Sequence, residues 1–455
     1  MADRYWVGGT ATWDGTAGTK WALTSNGTGG QAVPTASDDV YFDGASGAVT
    51  CTISGSRVCR SINTTGFTGT LAGTATPTLT VSGSMTLGSG MTLTFAGALT
   101  FNATTSGWTI TTNGISISSA TTFNGVSGAW TLGGAFTTTS TCTLTNGSLS
   151  LSSYTLTCTT FSSTSSNTRT LAFGTGNITT TSTAGGTVYT TATTTGLTVT
   201  GTPVVNVNNN TATATTVSPG ALAESTAPTF NILNGTYALT ISAGNIGSLN
   251  TTGFSGSIAS TVITIYGDVT LSSTTTVTAG SGTWTFASTS GTKNITTNGV
   301  SVDRSVTFDG VGGTWKLLDA LTVGASPVTT TRTTTLTNGT INLNNFTLST
   351  GLFSSNNSNT RTIAFGTGNI TLTSAITSTI WDTGTVTNLS ITGTPVVTST
   401  GGGANVKTID AGQLSEANSI SFTISNTAGT VNFTASNTVR NLTISNNSVT
   451  ISNIA

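Results

Sequence analysis

The chain has 455 residues, enough for a sizeable core or several domains, yet only 5% of them are charged and none is histidine; ordinary globular domains carry about 25% charge. Twelve basic residues scattered singly against thirteen acids give a formal net charge of −1, which excludes the clustered Lys and Arg of a nucleic-acid binder. Histidine-based catalytic triads are excluded with the histidine, and no apolar run reaches the roughly 18 residues of a membrane-spanning helix.

Thr, Ser, Gly and Asn supply the polarity, and with only 7 prolines the composition lacks the charge and proline signature of disorder. Threonine is β-branched and stiff at χ1, so it suits a pleated surface, while Gly and Asn suit tight turns. The expected class is all-β.

Residues 1–50 differ from the rest. Three of the eight tryptophans, Trp6, Trp13 and Trp21, fall here with five of the thirteen acids, and the segment reads as a cap or attachment module. The start MADRYWVGG lacks the basic-then-apolar pattern of a secretory leader, so cytoplasmic synthesis is expected. Asp38, Asp39 and Asp43 form the one local carboxylate cluster. Three readings stand open for it: a calcium site, a glycosidase-type acid pair, or turn aspartates accepting backbone N–H bonds beside VYF.

From residue 78 a beat of short runs takes over: TLTVSG, SMTLGSG, MTLTFAG and ALTFNATTSG, then WTITTNG, ISISSA, WTLGGA, CTLTNG and SLSLSSY. Each alternates with period two and closes on Gly, Asn or Ser, which predicts strands of four to six residues. Cys51, Cys59, Cys142 and Cys158 show no CxxC spacing, so buried apolar thiols are expected rather than a metal site or a disulfide.

A larger repeat overlies this beat. NTRTLAFGTGNI at 167–178 returns as NTRTIAFGTGNI at 359–370, SINTTGFTG at 61–69 as SLNTTGFSG at 248–256, and TFNGVSGAWTL at 122–132 as TFDGVGGTWKL at 307–317. The order is kept and the offset drifts only from 185 to 192. The boundaries read as 51–245 for one unit, 246–438 for a second and 439–455 for the truncated start of a third, which lacks an evident cap and is expected to pack against other subunits or a further protein. A sandwich needs longer paired strands, whereas a parallel β-helix, or β-solenoid, needs only short strands and tight turns repeated at each rung. Three strands and their turns make a rung of roughly 20 to 25 residues, with Leu, Ile, Val and Phe inward and Thr and Ser outward.

Few residues point to chemistry. Asp303, Asp309 and Asp319 invite a hydrolase reading, but Asp303 and Asp309 match Ser118 and Asn124 in the first unit. Arg169 and Arg361 recur in both NTRT runs and Glu224 and Glu416 in both unit tails; acidic-sugar or partner binding stands against a turn arginine that bonds carbonyls. Trp130 and Trp315 follow a Gly-rich turn and read as sugar-stacking or core residues. No catalytic, cofactor or metal site is assigned.

The opening RYWVGGTATWDG with KWAL and VPTASDDVYFDG, followed by repeats of the type TGFTGTLAG, FNGVSGAW and SSNTRTLAFGTGN, resembles the Thr/Ser/Gly-rich fibre and structural proteins of marine tailed bacteriophages. The resemblance spans nearly the whole chain. It implies a non-enzymatic virion fibre, spike or appendage, assembled in the host cytoplasm as a homo-oligomer, a trimer as in many phage spikes. The N-terminal module would dock to other virion proteins and the solenoid would contact a host-surface carbohydrate or receptor. The alternatives are a secreted bacterial adhesin or surface filament subunit, and a polysaccharide-degrading tailspike.

Overall fold

A computed structural model describes residues 2–324, 331–434, 437–446 and 449–452. Among them there are only β-strands and three short 3-10 turns, and almost every ladder is parallel. Strands pair with the segment one rung away, which is usually not the next strand in sequence. Registers such as Met85↔Ile110, Trp108↔Trp130 and Leu149↔Leu171 define the stacked coils of a β-solenoid. No described helix is long and apolar enough to cross a membrane.

The chain divides into two compact units, Met1–Ala221 and Leu222–Ala455. In each, three strands make a rung, so the coils stack into three faces. Along one face of the first unit the inward column runs Trp108, Trp130, Leu149, Leu171 and Val199. In the second unit Trp315, Ile341, Ile363 and Ile391 occupy the matching column. Leu171 and Ile363 are both fully buried there, and a volume-conserving change of this kind is what a filled interior tolerates. Each buried side chain of this size contributes about 1.5–3 kcal/mol, summed against backbone ordering of about 1–2 kcal/mol per residue.

Interior aromatics repeat with the coils. Phe101 stacks on Phe123 at 5.0 Å and Phe286 on Phe308 at 5.1 Å, while Phe161 stacks on Tyr189 and Phe353 on Trp381. On an outer face, half-buried hydroxyls stack rung over rung: Thr80, Thr100, Thr122, Thr143, Ser162, Thr190 and Ser218. The second unit answers with Thr264, Thr285, Thr307, Thr335, Ser354, Asp382 and Asp410.

Three sequence expectations change. The strands are not all short: Thr121–Leu132 has 12 residues and Ser305–Leu317 has 13. The Gly-rich run before Trp130 is therefore no turn between strands; it is a bulged corner inside one long strand whose two halves serve two faces. The interior is also not purely apolar, because Ser163, Ser355, Thr138 and Thr334 are buried. Their hydroxyls bond Leu144 O, Leu336 O, Ser119 O and Thr350 respectively, which satisfies polar groups that the corners would leave dry. Rungs also range more widely than the pattern implied, from 19 residues (Phe230 to Leu249) to 29 (Gly186 to Thr215), since loops at the corners absorb extra residues without disturbing the ladder.

Before the first full rung, Asp3–Trp6 pairs in parallel with Asp39–Tyr41 and antiparallel with Trp21–Ala22. Trp6 and Trp13 set their rings edge-on to Trp21 at 5.0 and 5.2 Å, and Phe42 lies against all three. This cluster is fully buried; it closes the apolar interior at that end and covers an edge that would otherwise expose unpaired backbone groups. In the second unit Val439–Ile444 continues the stack on Ile420–Ile424. Residues 447–448 and 453–455 lie outside the described residues.

Candidate functional site at the bulged corner

The carboxylates singled out from sequence are each engaged within the chain. Asp38 accepts from Thr35 N, Thr35 Oγ1 and Ala2 N, with Arg4 at 3.9 Å. Burial pushes its carboxyl up, but those hydrogen bonds and the Arg4 charge outweigh it and hold the group below its usual range. Asp39 pairs with Arg60. Asp43 caps the 3-10 turn Gly44–Ser46 in a reciprocal box with Ser46. The three face three different partners, and among the described residues no group of three His, Cys, Asp or Glu could hold a metal ion.

Asp303, Asp309 and Asp319 are likewise dispersed in role. Asp303 pairs with Arg332 at 2.8 Å, Asp309 accepts from Asn338 Nδ2 at 2.6 Å, and Asp319 accepts from Thr297 N and Asn298 N. The first unit builds the Asp309 contact without a charge, since Asn146 Nδ2 donates to Asn124 Oδ1, also at 2.6 Å. Glu224 accepts from Ser288 Oγ, Thr289 N and Thr289 Oγ1; Glu416 is exposed and opens the corresponding 3-10 turn. All four cysteines are free and buried, and desolvation lifts their thiols, Cys142 to about 12.

Arg169, Arg361, Trp130 and Trp315 cannot serve as carbohydrate contacts, because each is no more than 1% exposed. The tryptophans belong to the interior column. The guanidinium of Arg169 spans neighbouring rungs: Nε donates to Ser163 Oγ, Nη1 to Asn167 O and Thr195 O, and Nη2 to Ser163 O and Thr193 O. All five donors are used on neutral oxygens. Burial depresses its pKa with no carboxylate to offset that, so the planar fork, not an ion pair, holds the corner.

Above this arginine lies a groove of about 640 Å³, lined in part by Val126, Asn146, Ser148, Asn167, Thr168 and Thr170. Glycine carves it. A Cβ on Gly125 or Gly128 would collide with Ala103 O, and one on Gly147 would collide with the carbonyls of both; the coils can close up at this corner only where side chains are missing. Val126 stands on the rim, 66% exposed, next to Ser127 with φ +65°. No charged side chain lines the groove. Sequence reasoning missed it, although the spacing G-V-x-G, kept at 125–128 and 310–313, carried the signal.

No protein-family model, curated protein or solved structure matches the chain.

Proposed function

We propose that this protein is a non-enzymatic structural component of a tailed-bacteriophage virion, a fibre or appendage element acting as a homotrimer. In this reading the Trp-packed N-terminal segment docks to other virion proteins, and the outer faces of the solenoid units meet a host-surface glycan or receptor. The observation that carries it is the use made of the duplicated polar residues: Arg169 and Arg361 serve backbone and hydroxyl oxygens in their own corners. Glu224 grips Ser288 and Thr289, while its copy Glu416 is exposed and meets Ser419 and Arg440 through its backbone carbonyl. A scaffold that grows by copying coils keeps such groups for cohesion, whereas a hydrolase needs carboxylates aimed at a substrate.

The test is location. Antibody-gold labelling and peptide mass spectrometry of purified particles should find the chain in the virion, and sedimentation of the purified protein should give a trimer. Its absence from particles, with display on a bacterial surface, would replace this reading by an adhesin.

A further inference from the structure

We infer that the bulged corner is a binding groove for a neutral polysaccharide segment, built once in each unit, so that one chain carries two equivalent sites. The inference rests on the glycan-contact part of the function proposed above and names where that contact falls.

Four observations converge on the corner. The groove in the first unit is set by glycine carbonyl approach, as described, and the second unit reproduces the cause: a Cβ on Gly310 or Gly313 meets Ser288 O, and one on Gly339 meets the carbonyls of both glycines. Gly147 and Gly339 take left-handed φ of +78° and +76°, so the floor is backbone in both copies.

The rim is kept where its surroundings drift. Between the copies Asn124 becomes Asp309, Ser127 becomes Gly312, Ala129 becomes Thr314 and Thr131 becomes Lys316. Val126 and Val311 stay, at 66% and 65% exposure. A single exposed valine is ordinary; one retained in solvent on a strained bulge amid four changes has a use. An aliphatic side chain on a rim packs against the C–H face of a sugar ring, while amides and hydroxyls below meet its hydroxyls.

The polar lip is braced from beneath. Asn167 Nδ2 donates to Thr145 O and Asn359 Nδ2 to Thr337 O, at 3.2 and 3.1 Å. Arg169 Nη1 and Arg361 Nη1 hold the backbone carbonyls of the same two asparagines at 2.9 and 2.7 Å. A lip fixed in this way loses little conformational freedom when a ligand arrives. The buried arginines are thus positioning residues for the groove, not ligands.

Charge selects the class of ligand. The first groove is lined by uncharged side chains, and on the strand beside the second Asp309 is matched by Lys316, so neither copy presents the net positive charge that would hold a uronate or sulfate. A neutral hydroxylated chain fits both copies; an acidic one gains no Coulomb attraction from either.

The experiment uses the whole chain and insoluble matrices of agarose, cross-linked dextran and curdlan, with alginate beads as the acidic counterpart. Retention is expected on at least one neutral matrix and should be unmoved by 1 M salt, because no Coulomb term is involved. Val126→Asp should halve the number of sites per chain, and Val126→Asp with Val311→Asp should abolish retention. Val262→Asp, at a valine 57% exposed outside the groove, should leave retention intact. Circular dichroism of each variant checks that the solenoid persists. No retention on any neutral matrix, salt-sensitive retention on alginate, or full retention of the folded double variant overturns the inference. Particles that contain the double variant and still adsorb to host would sink the groove while leaving the virion assignment standing; absence of the chain from particles would do the reverse.

Discussion

Arg169 Nε donates to Ser163 Oγ over 2.7 Å, both groups fully inside the solenoid, and 192 residues later Arg361 meets Ser355 in the same way at 2.8 Å. The duplication therefore copied a three-dimensional joint. Arg169→Lys keeps the charge but loses the fork, leaving several buried carbonyls without a donor. Unmet acceptors cost about 1–3 kcal/mol each, so urea unfolding should show the first unit weakened by about 2–4 kcal/mol. A loss below about 0.5 kcal/mol, the usual size of a surface change, would show that water or backbone shifts replace the fork.

Trp21 sits between Trp6 and Trp13 in the closing cluster. Trp21→Ala should destabilise the adjoining rungs by about 3–5 kcal/mol. Because a coil leans only on its neighbours, hydrogen exchange should speed up in Thr50–Ile53 and Thr70–Gly73, while Arg169–Ala172 and Asn177–Thr180 stay protected. Uniform acceleration would mean that the first unit unfolds as one block.

Lys407 is fully buried at the position where the first unit has Thr215. Its Nζ donates to Gly402 O at 3.2 Å, and burial lowers its pKa from the ordinary 10.5. A lysine depressed in the fold binds fewer protons there than in the open chain. Stability therefore rises with pH between the folded pKa and 10.5, and the full cost is present below that window. Lys407→Met should stabilise the second unit by about 1–3 kcal/mol at neutral pH, the gap narrowing as pH climbs toward 10.5. A gap that stays constant across this range would show that packing, not the charge, sets the difference.

Period-two runs closed by Gly and Asn, copied at a nearly fixed offset, were enough to read the β-solenoid, its inward Leu, Ile, Val and Phe, and the Trp-rich first segment. That much is local: a strand buries alternate residues, and a coil that touches only its neighbours imposes the same pattern at each pass. What the alternation could not convey is which corner each residue turns. Trp130 and Arg169 read equally well as exposed ligands or interior parts, because both types occupy either place. Only the stacking of the 167–169 run on Gly147 and of Gly147 on the 125–128 bulge put the arginine beneath the floor and Val126 on the rim. Those contacts join residues about twenty positions apart, one coil to the next, and such partners are chosen by how coils of unequal length align in space.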